Sequence, residues 1–256
     1  MKITQVRNAT LRIDFGGKRF LVDPYLAVKG AYPALPGTAS GDRRNPLVEL
    51  TVPMSEILDV DAVIVTHTHL DHWDEAAKNL IPKGMLVLVQ NEMDAAAIQA
   101  AGFSNTRILT DNTTFDGITL IKTPGRHGSD EAYAAIRDRL GEVCGVVFRH
   151  LDEKTIYLAG DTIWNGYVED NLRTHKPDVI VLNCGDAQII GLGSIIMGKE
   201  DVYKVHRAAL GAILVASHME AVNHGMLSRR ELREFIAEKG MTPRVLVPDD
   251  GEAVSF

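Results

Sequence analysis

The sequence has little of several things, and each shortage excludes something. Its 256 residues include only two cysteines, Cys144 and Cys184, too few for a disulfide framework or a cysteine-rich zinc site. Both lie in or beside apolar runs and read as buried free thiols of a reducing compartment. No stretch approaches the ~20 apolar residues needed to span a bilayer. Residues Met1 to Asn8 carry no continuous apolar segment of the kind a secretory signal has. A cytoplasmic chain with no membrane partner is expected. Positive charge is also in deficit, with 27 Lys plus Arg against 34 Asp plus Glu and a net charge of −7. That sign argues against a protein that grips a nucleic-acid backbone by bulk electrostatics, which leaves a small molecule as the expected partner. There is no Gly-x-Ser-x-Gly elbow, and neither cysteine has a histidine nearby in sequence, so a covalent nucleophile is not indicated.

What is present is an alternation of β-branched runs and helical patterns. Ile3 to Asp14, a Gly16-Gly17 turn and Arg19 to Val22 read as a strand, a hairpin turn and a second strand. Leu26 to Leu50 is interrupted by Pro33, Pro36, Pro46 and three glycines, and reads as a flap. Strand patterns follow at Ala62–Thr66, Met85–Val89, Ile118–Lys122, Gly145–Phe148, Thr155–Ala159, Val179–Asn183 and Ala212–Ala216. Helical patterns cover Asn91–Ala101, Asp130–Leu140, Asp201–Leu210 and Arg229–Lys239, the last opened by the capping box Ser228 to Glu231. No linker divides the chain, so residues 1–256 read as a single α/β domain with sheets packed against helices.

The chemistry concentrates where one strand ends. Ala62 to Thr66 runs directly into His67-Thr68-His69-Leu70-Asp71-His72, three imidazoles and a carboxylate within six residues. These are the ligand types that suit Zn²⁺ and similar divalent ions. Three further runs end in the same way, at His127, Asp161 and His218. Singly, each of those is an ordinary loop residue. Together, four strand ends carrying His or Asp point to side chains converging on one place.

This pattern, His67-x-His69-x-Asp71-His72 followed by His127, Asp161 and His218, resembles the metallo-β-lactamase-fold hydrolase superfamily, with Asp23-Pro24 matching its first motif. By length and texture it is most similar to the lactonase-like branch that includes ascorbate-6-phosphate lactonase. The resemblance implies a four-layer αββα sandwich with the site on one edge. It implies two divalent cations, zinc first and manganese or iron as alternatives, one held by His67, His69 and His127 and the other by Asp71, His72 and His218. Asp161 would bridge them, Asp23 would brace the His-rich turn, and Asp71 would handle a proton as the intermediate collapses. The implied reaction is hydrolysis of a small ester or lactone, phosphorylated or not, by a bridging hydroxide. A small-molecule phosphodiesterase on the same site is the alternative. Assembly into a homo-oligomer is expected by branch analogy.

Three more residues are candidates for contacting substrate. Arg126 adjoins His127, and Asn223 and His224 follow His218. His224 also rivals His218 as a ligand, but the strand-end position favours His218. His150, His175 and His206 read as surface or structural residues.

Overall fold

The computed structural model describes residues 1–256. The first half of the chain builds one sheet. β1 (Lys2–Arg7), β2 (Thr10–Phe15) and β3 (Lys18–Val22) form an antiparallel meander, which β4 (Ala62–Val65), β5 (Val87–Val89) and β6 (Thr106–Ile108) extend in parallel. Between these strands lie α1 (Met54–Ile57), α2 (Glu75–Leu80) and α3 (Glu92–Ala100). The second half builds a facing sheet from β7 (Thr113–Phe115), β8 (Ile118–Pro124), β9 (Cys144–Arg149), β10 (Ile156–Leu158) and β11 (Val179–Asn183), with α4 (Asp130–Leu140) and α5 (Gly166–His175) in the connections. A small hairpin of β12 (Gln188–Ile189) and β13 (Gly193–Ser194) comes next, then α6 (Lys199–Ala208), β14 (Ile213–Ser217), α7 (Arg229–Glu238) and β15 (Val245–Leu246). Finally β16 (Ala253–Ser255) returns to pair with β1. The orders are β16-β1-β2-β3-β4-β5-β6 and β15-β14-β11-β10-β9-β8-β7.

Strand alternation explains how these sheets stack. In β4, Ala62 and Ile64 face a cluster shared with Phe15, Phe20, Val146 and Phe148 of both sheets. Val63 and Val65 face the other way, onto Ile57, Ala77 and Ile98 of α1, α2 and α3. In β11, Val179 and Val181 join the cluster between the sheets, while Ile180 and Leu182 pack on Val168, Val205 and Leu232 of α5, α6 and α7. Successive side chains of a strand point to opposite faces, so a strand apolar at every position must be covered twice. The result is the four-layer αββα sandwich of metallo-β-lactamase type.

The structure refines the sequence reading in two places. Ile3 to Asp14 is two strands, because Asn8 turns the chain with a left-handed φ of 54°. α5 falls where the sequence reading assigns no element; Asn165 caps it by accepting from the N–H groups of Tyr167 and Val168, and Val168 and Leu172 bury one turn apart.

Strand direction sets the position of the site. β3 and β4 are parallel. β9 is antiparallel to both β8 and β10, and β10, β11 and β14 are mutually parallel, so β8, β10, β11 and β14 run the same way. Their C-terminal ends therefore share one edge.

Residues 26–50 wrap over that edge without helix or strand, touching the rest through the bridges Tyr32–Asn45 and Thr38–Ile189. Arg7, fully buried, donates to the carbonyls of Tyr25, Ala27 and Val48 and so ties down both ends of the segment. Asn223 ties down its middle. Its Oδ1 accepts from Leu35 N–H and Asn45 Nδ2, and its Nδ2 donates to Thr38 Oγ1 and the Ala39 carbonyl.

Candidate metal centre

The edge gathers all seven of the His and Asp residues singled out from sequence. His67, His69, Asp71 and His72 lie on the turn after β4, His127 follows β8, Asp161 follows β10 and His218 follows β14. Their donor atoms form three groups able to hold a cation: His67 with His69 and His127, His67 with His72 and Asp161, and Asp71 with His72 and His218. Asp161 Oδ2 lies amid them, 3.2 Å from His72 Nε2, 3.7 Å from His127 Nε2 and 3.8 Å from the Nε2 atoms of His67 and His218. Asp71 Oδ2 stands 3.2 Å from His218 Nε2. All but His69 are buried.

Each imidazole has one nitrogen turned inward, and in four of the five the outward nitrogen is engaged. His72 Nδ1 faces Asp23 Oδ2 at 2.9 Å, His127 Nδ1 faces the Ile195 carbonyl at 2.8 Å and His69 Nε2 faces the Arg139 carbonyl at 3.1 Å. His67 Nδ1 faces Thr66 Oγ1 at 3.2 Å, a hydroxyl already donating to Asp23. An acceptor on the outer nitrogen keeps the proton there and leaves the inner lone pair bare. Lone pairs and carboxylates aimed at one small region repel unless positive charge lies between them. The donor set fits divalent cations on that ground alone.

Asp23 is the hinge of this arrangement. Its Oδ1 accepts from Thr66 N–H at 2.7 Å and its Oδ2 serves both Thr66 Oγ1 and His72. Asp23 and His218 both sit at strand ends with left-handed φ, 44° and 59°. Such backbone is uncommon for residues other than glycine and clusters at functional sites.

The electrostatics divide the cluster. Burial pushes the His67, His69 and His127 rings down, His69 to about 4, so these three are neutral. Burial acts the same way on His72 and His218, but the carboxylates Asp161, Asp71 and, for His72, Asp23 outweigh it and raise both. Conversely, burial alone would raise Asp71 and Asp161, and the neighbouring imidazoles hold both well below the usual carboxylate range.

A cavity of about 200 Å³ opens onto the cluster. Leu35, Pro36, Leu70, Leu140, Ile189 and Ile195 form its apolar wall, and His224 lies in its lining beside Asp71 and Asp161. Of the three residues considered for substrate contact, only His224 reaches this cavity. Arg126 pairs with Asp130 and lines a separate cleft of about 460 Å³ behind His127. Asn223 spends its side chain on the 26–50 segment. Sequence reasoning missed Asn8, whose Nδ2 is 3.1 Å from the Asp71 carbonyl, and Asn183, which donates to Asp161 Oδ1 at 2.7 Å. It also missed Arg139, whose guanidinium donates to the Pro36 carbonyl at the cavity rim. Only their proximity to strand ends and caps signals them.

Fold and site together define a metal-dependent hydrolase of the metallo-β-lactamase fold. The chain belongs to the β-lactamase superfamily, whose domain profile, described as beta-lactamase superfamily domain, matches residues 18–219. It is 52% identical to UPF0173 protein YddR of Bacillus subtilis, across the whole of both chains. It is 26% identical to a UPF0173 metal-dependent hydrolase of Pelotomaculum thermopropionicum, again across both chains. The crystal structure of isothiocyanate hydrolase from Delia radicum gut bacteria superposes with a TM-score of 0.98 at 51% identity, covering 100% of this chain and 99% of that one.

Proposed function

We propose that this chain hydrolyses a small, uncharged electrophile with a short apolar substituent, an isothiocyanate or a carboxylic ester or lactone, with two divalent cations bound in the His/Asp cluster. The observation that carries this reading is the cavity: a ~200 Å³ space, roughly seven water volumes at ~30 Å³ each, with the cluster as its floor and aliphatic side chains as its walls. The similarity to isothiocyanate hydrolase at 51% identity supports an electrophilic carbon as the target. Lactonase-like ester cleavage makes the same demand on the site.

His67, His69 and His127 would hold one cation, Asp71, His72 and His218 the other, and Asp161 would touch both. Zinc suits this mixture of imidazole and carboxylate best, with manganese and iron as rivals. When bound, the cations supply the charge that ionises water near neutral pH and polarises the atom doubly bonded to the target carbon. The residues of the chain do the remaining work. Asp23, Thr66, Ile195 and Arg139 fix the tautomers of the four rings they touch. Asp71, which lines the cavity, is placed to accept a proton and pass it to the departing heteroatom. Leu35, Pro36 and Leu140 exclude bulk water and seat the apolar substituent.

The phosphodiester alternative is favoured less, because beyond the cluster the cavity offers a diester a single cationic side chain, Arg139, and one of its donors is held by the Pro36 carbonyl. A parallel assay separates the readings: 4-nitrophenyl acetate, a γ-lactone, allyl isothiocyanate and bis(4-nitrophenyl) phosphate offered to metal-loaded protein. Turnover of the diester alone would overturn the proposal. So would a metal content below about one ion per chain that His67→Ala leaves unchanged.

A further inference from the structure

We propose that His224 positions the substrate in this cavity, donating a hydrogen bond from its ring to the heteroatom on which negative charge develops. This rests on the hydrolase reading above and assigns that site its polar contact.

The polar lining of the cavity consists of Thr38, His69, Asp71, His127, Arg139, Asp161 and His224. Four of these, His69, Asp71, His127 and Asp161, belong to the cation cluster. Thr38 Oγ1 donates to the Leu35 carbonyl and accepts from Asn223, and Arg139 is bonded to Pro36. Arg139 is exposed and keeps other donors free for solvent, which leaves His224 as the buried polar side chain of this lining without a partner. It is only 4% exposed, yet neither ring nitrogen has a partner within the protein, and Nδ1 is completely sealed. Leaving a buried polar group unpaired costs ~1–3 kcal/mol, and such exceptions call for a reason.

Geometry supplies the orientation. The His224 carbonyl accepts from Gln188 N–H at 3.0 Å, and Ala187 bridges to Gly225, so the β12 hairpin fixes the backbone on which the ring is mounted. With Nδ1 closed off, Nε2 is the ring nitrogen left to meet a substrate in the cavity that His224 lines. Buried N–H groups without partners are rarer than buried bare acceptors, which favours the tautomer carrying its proton on Nε2. That tautomer presents a donor to the substrate. Burial keeps the ring neutral, with its pKa down at about 4, and bound cations would push it further in the same direction.

A preorganised donor aimed at developing charge accounts for ~10²–10³ in kcat when removed. His224→Phe keeps a flat ring without the donor, and His224→Gln restores an N–H. Both are compared with the parent protein, metal-loaded, on 4-nitrophenyl acetate and allyl isothiocyanate. The proposal expects unchanged metal content in both variants, a kcat about 100-fold lower for His224→Phe with KM moving less than about threefold, and recovery by His224→Gln to within about tenfold. Metal loss in His224→Phe, an unchanged kcat, or a glutamine variant as poor as the phenylalanine one would each overturn it. Should the parent turn over neither these two substrates nor the γ-lactone, the function proposed above fails, and His224 is judged by a readout without turnover. In ¹⁵N-labelled, metal-loaded protein, acetohydroxamate should move the His224 ring N–H signal, assigned by its absence from His224→Gln. A signal that stays in place would overturn the inference.

Discussion

Gly185, just beyond β11, lies against the carbonyl of His218 so closely that a Cβ there would overlap the oxygen and stand 3.2 Å from its carbon. The contact matters because His218 is itself in a left-handed conformation, held by its N–H to the Asn8 carbonyl at 2.9 Å. A methyl group at 185 must displace the backbone that carries the ring, and backbone cannot rotate away as a side chain can. Gly185→Ala should therefore lower cation affinity at least tenfold without altering any donor residue. Competition with a chromogenic chelator measures this, and far-UV circular dichroism checks that the fold persists. Affinity equal to the parent's would show that the loop absorbs the methyl elsewhere.

Asp23 gives a second test at a distance from the cations. It contacts His72 Nδ1 and both polar groups of Thr66, so its loss frees one ring and slackens the turn that carries four donors. Partners of ligating imidazoles are worth ~10–100-fold in metal affinity. Asp23→Ala should fall in that range, and Asp23→Asn nearer its lower end, since the amide oxygen still accepts one hydrogen bond. Chelator competition on the purified variants reads both values. Two variants binding as tightly as the parent would show that the His-rich turn holds its shape without Asp23.

The two halves of the cluster should differ in their proton linkage. In metal-free protein at pH 7, His67, His69 and His127 are already neutral, because burial lowers them. Burial lowers His72 and His218 too, but the carboxylates around them raise His72 well above the ordinary imidazole value and raise His218 as well, so without a cation these two hold inward protons to higher pH than the other three. A cation must displace those protons. Loading should thus release protons at pH 7, and affinity should climb with pH as His72 and His218 titrate, levelling off once they are neutral. Calorimetric titration with Zn²⁺ in two buffers of different ionisation enthalpy counts the protons. A released count of zero at pH 7 would contradict the division.

Much of this site was legible because its chemistry is contiguous. Four donors fall within six residues, and strand ends marked His127, Asp161 and His218 before their convergence was visible. From the residues alone only a single α/β domain was legible; the four-layer sandwich came from the family resemblance, and the structure shows why it holds, since β4 and β11 are apolar at nearly every position and need cover on both faces. What stayed hidden depends on pairing between distant segments. Asn8 reaches Asp71 only because β1 and β2 lie beside β3 and β4, and nothing local distinguishes it from any turn asparagine. Arg139 looked like an ordinary basic residue in a last helical turn, and its bond to Pro36 exists only once the 26–50 segment folds across α4. Arg126 was attractive by adjacency to His127, but the strand end turns it outward to Asp130. α5 escaped because its apolar positions are few, with Val168 and Leu172 carrying its buried face.

Arg7 provides the last prediction, and it concerns the cavity roof. The side chain is fully buried with no carboxylate in contact. Its guanidinium instead serves the carbonyls of Tyr25, Ala27 and Val48 and lies over the Tyr25 ring, 5.0 Å from the centroid. Burial lowers its pKa, but an arginine remains charged, so the energy of desolvating it is offset by those bonds. Arg7→Leu keeps an apolar stem but strands three acceptors, and one unpaired buried carbonyl alone costs ~1–3 kcal/mol. A loss of about 3 kcal/mol in urea denaturation is expected, with Arg7→Lys in between, because an ammonium reaches fewer of the three oxygens. The same loss should act on catalysis in a particular way. Residues 26–50 carry Leu35 and Pro36 of the cavity wall, so slackening their ends should raise KM for small substrates more than it lowers kcat. A kcat loss without change in KM would instead place the effect at the cation cluster. Unchanged stability in Arg7→Leu would mean that the three carbonyls find other donors.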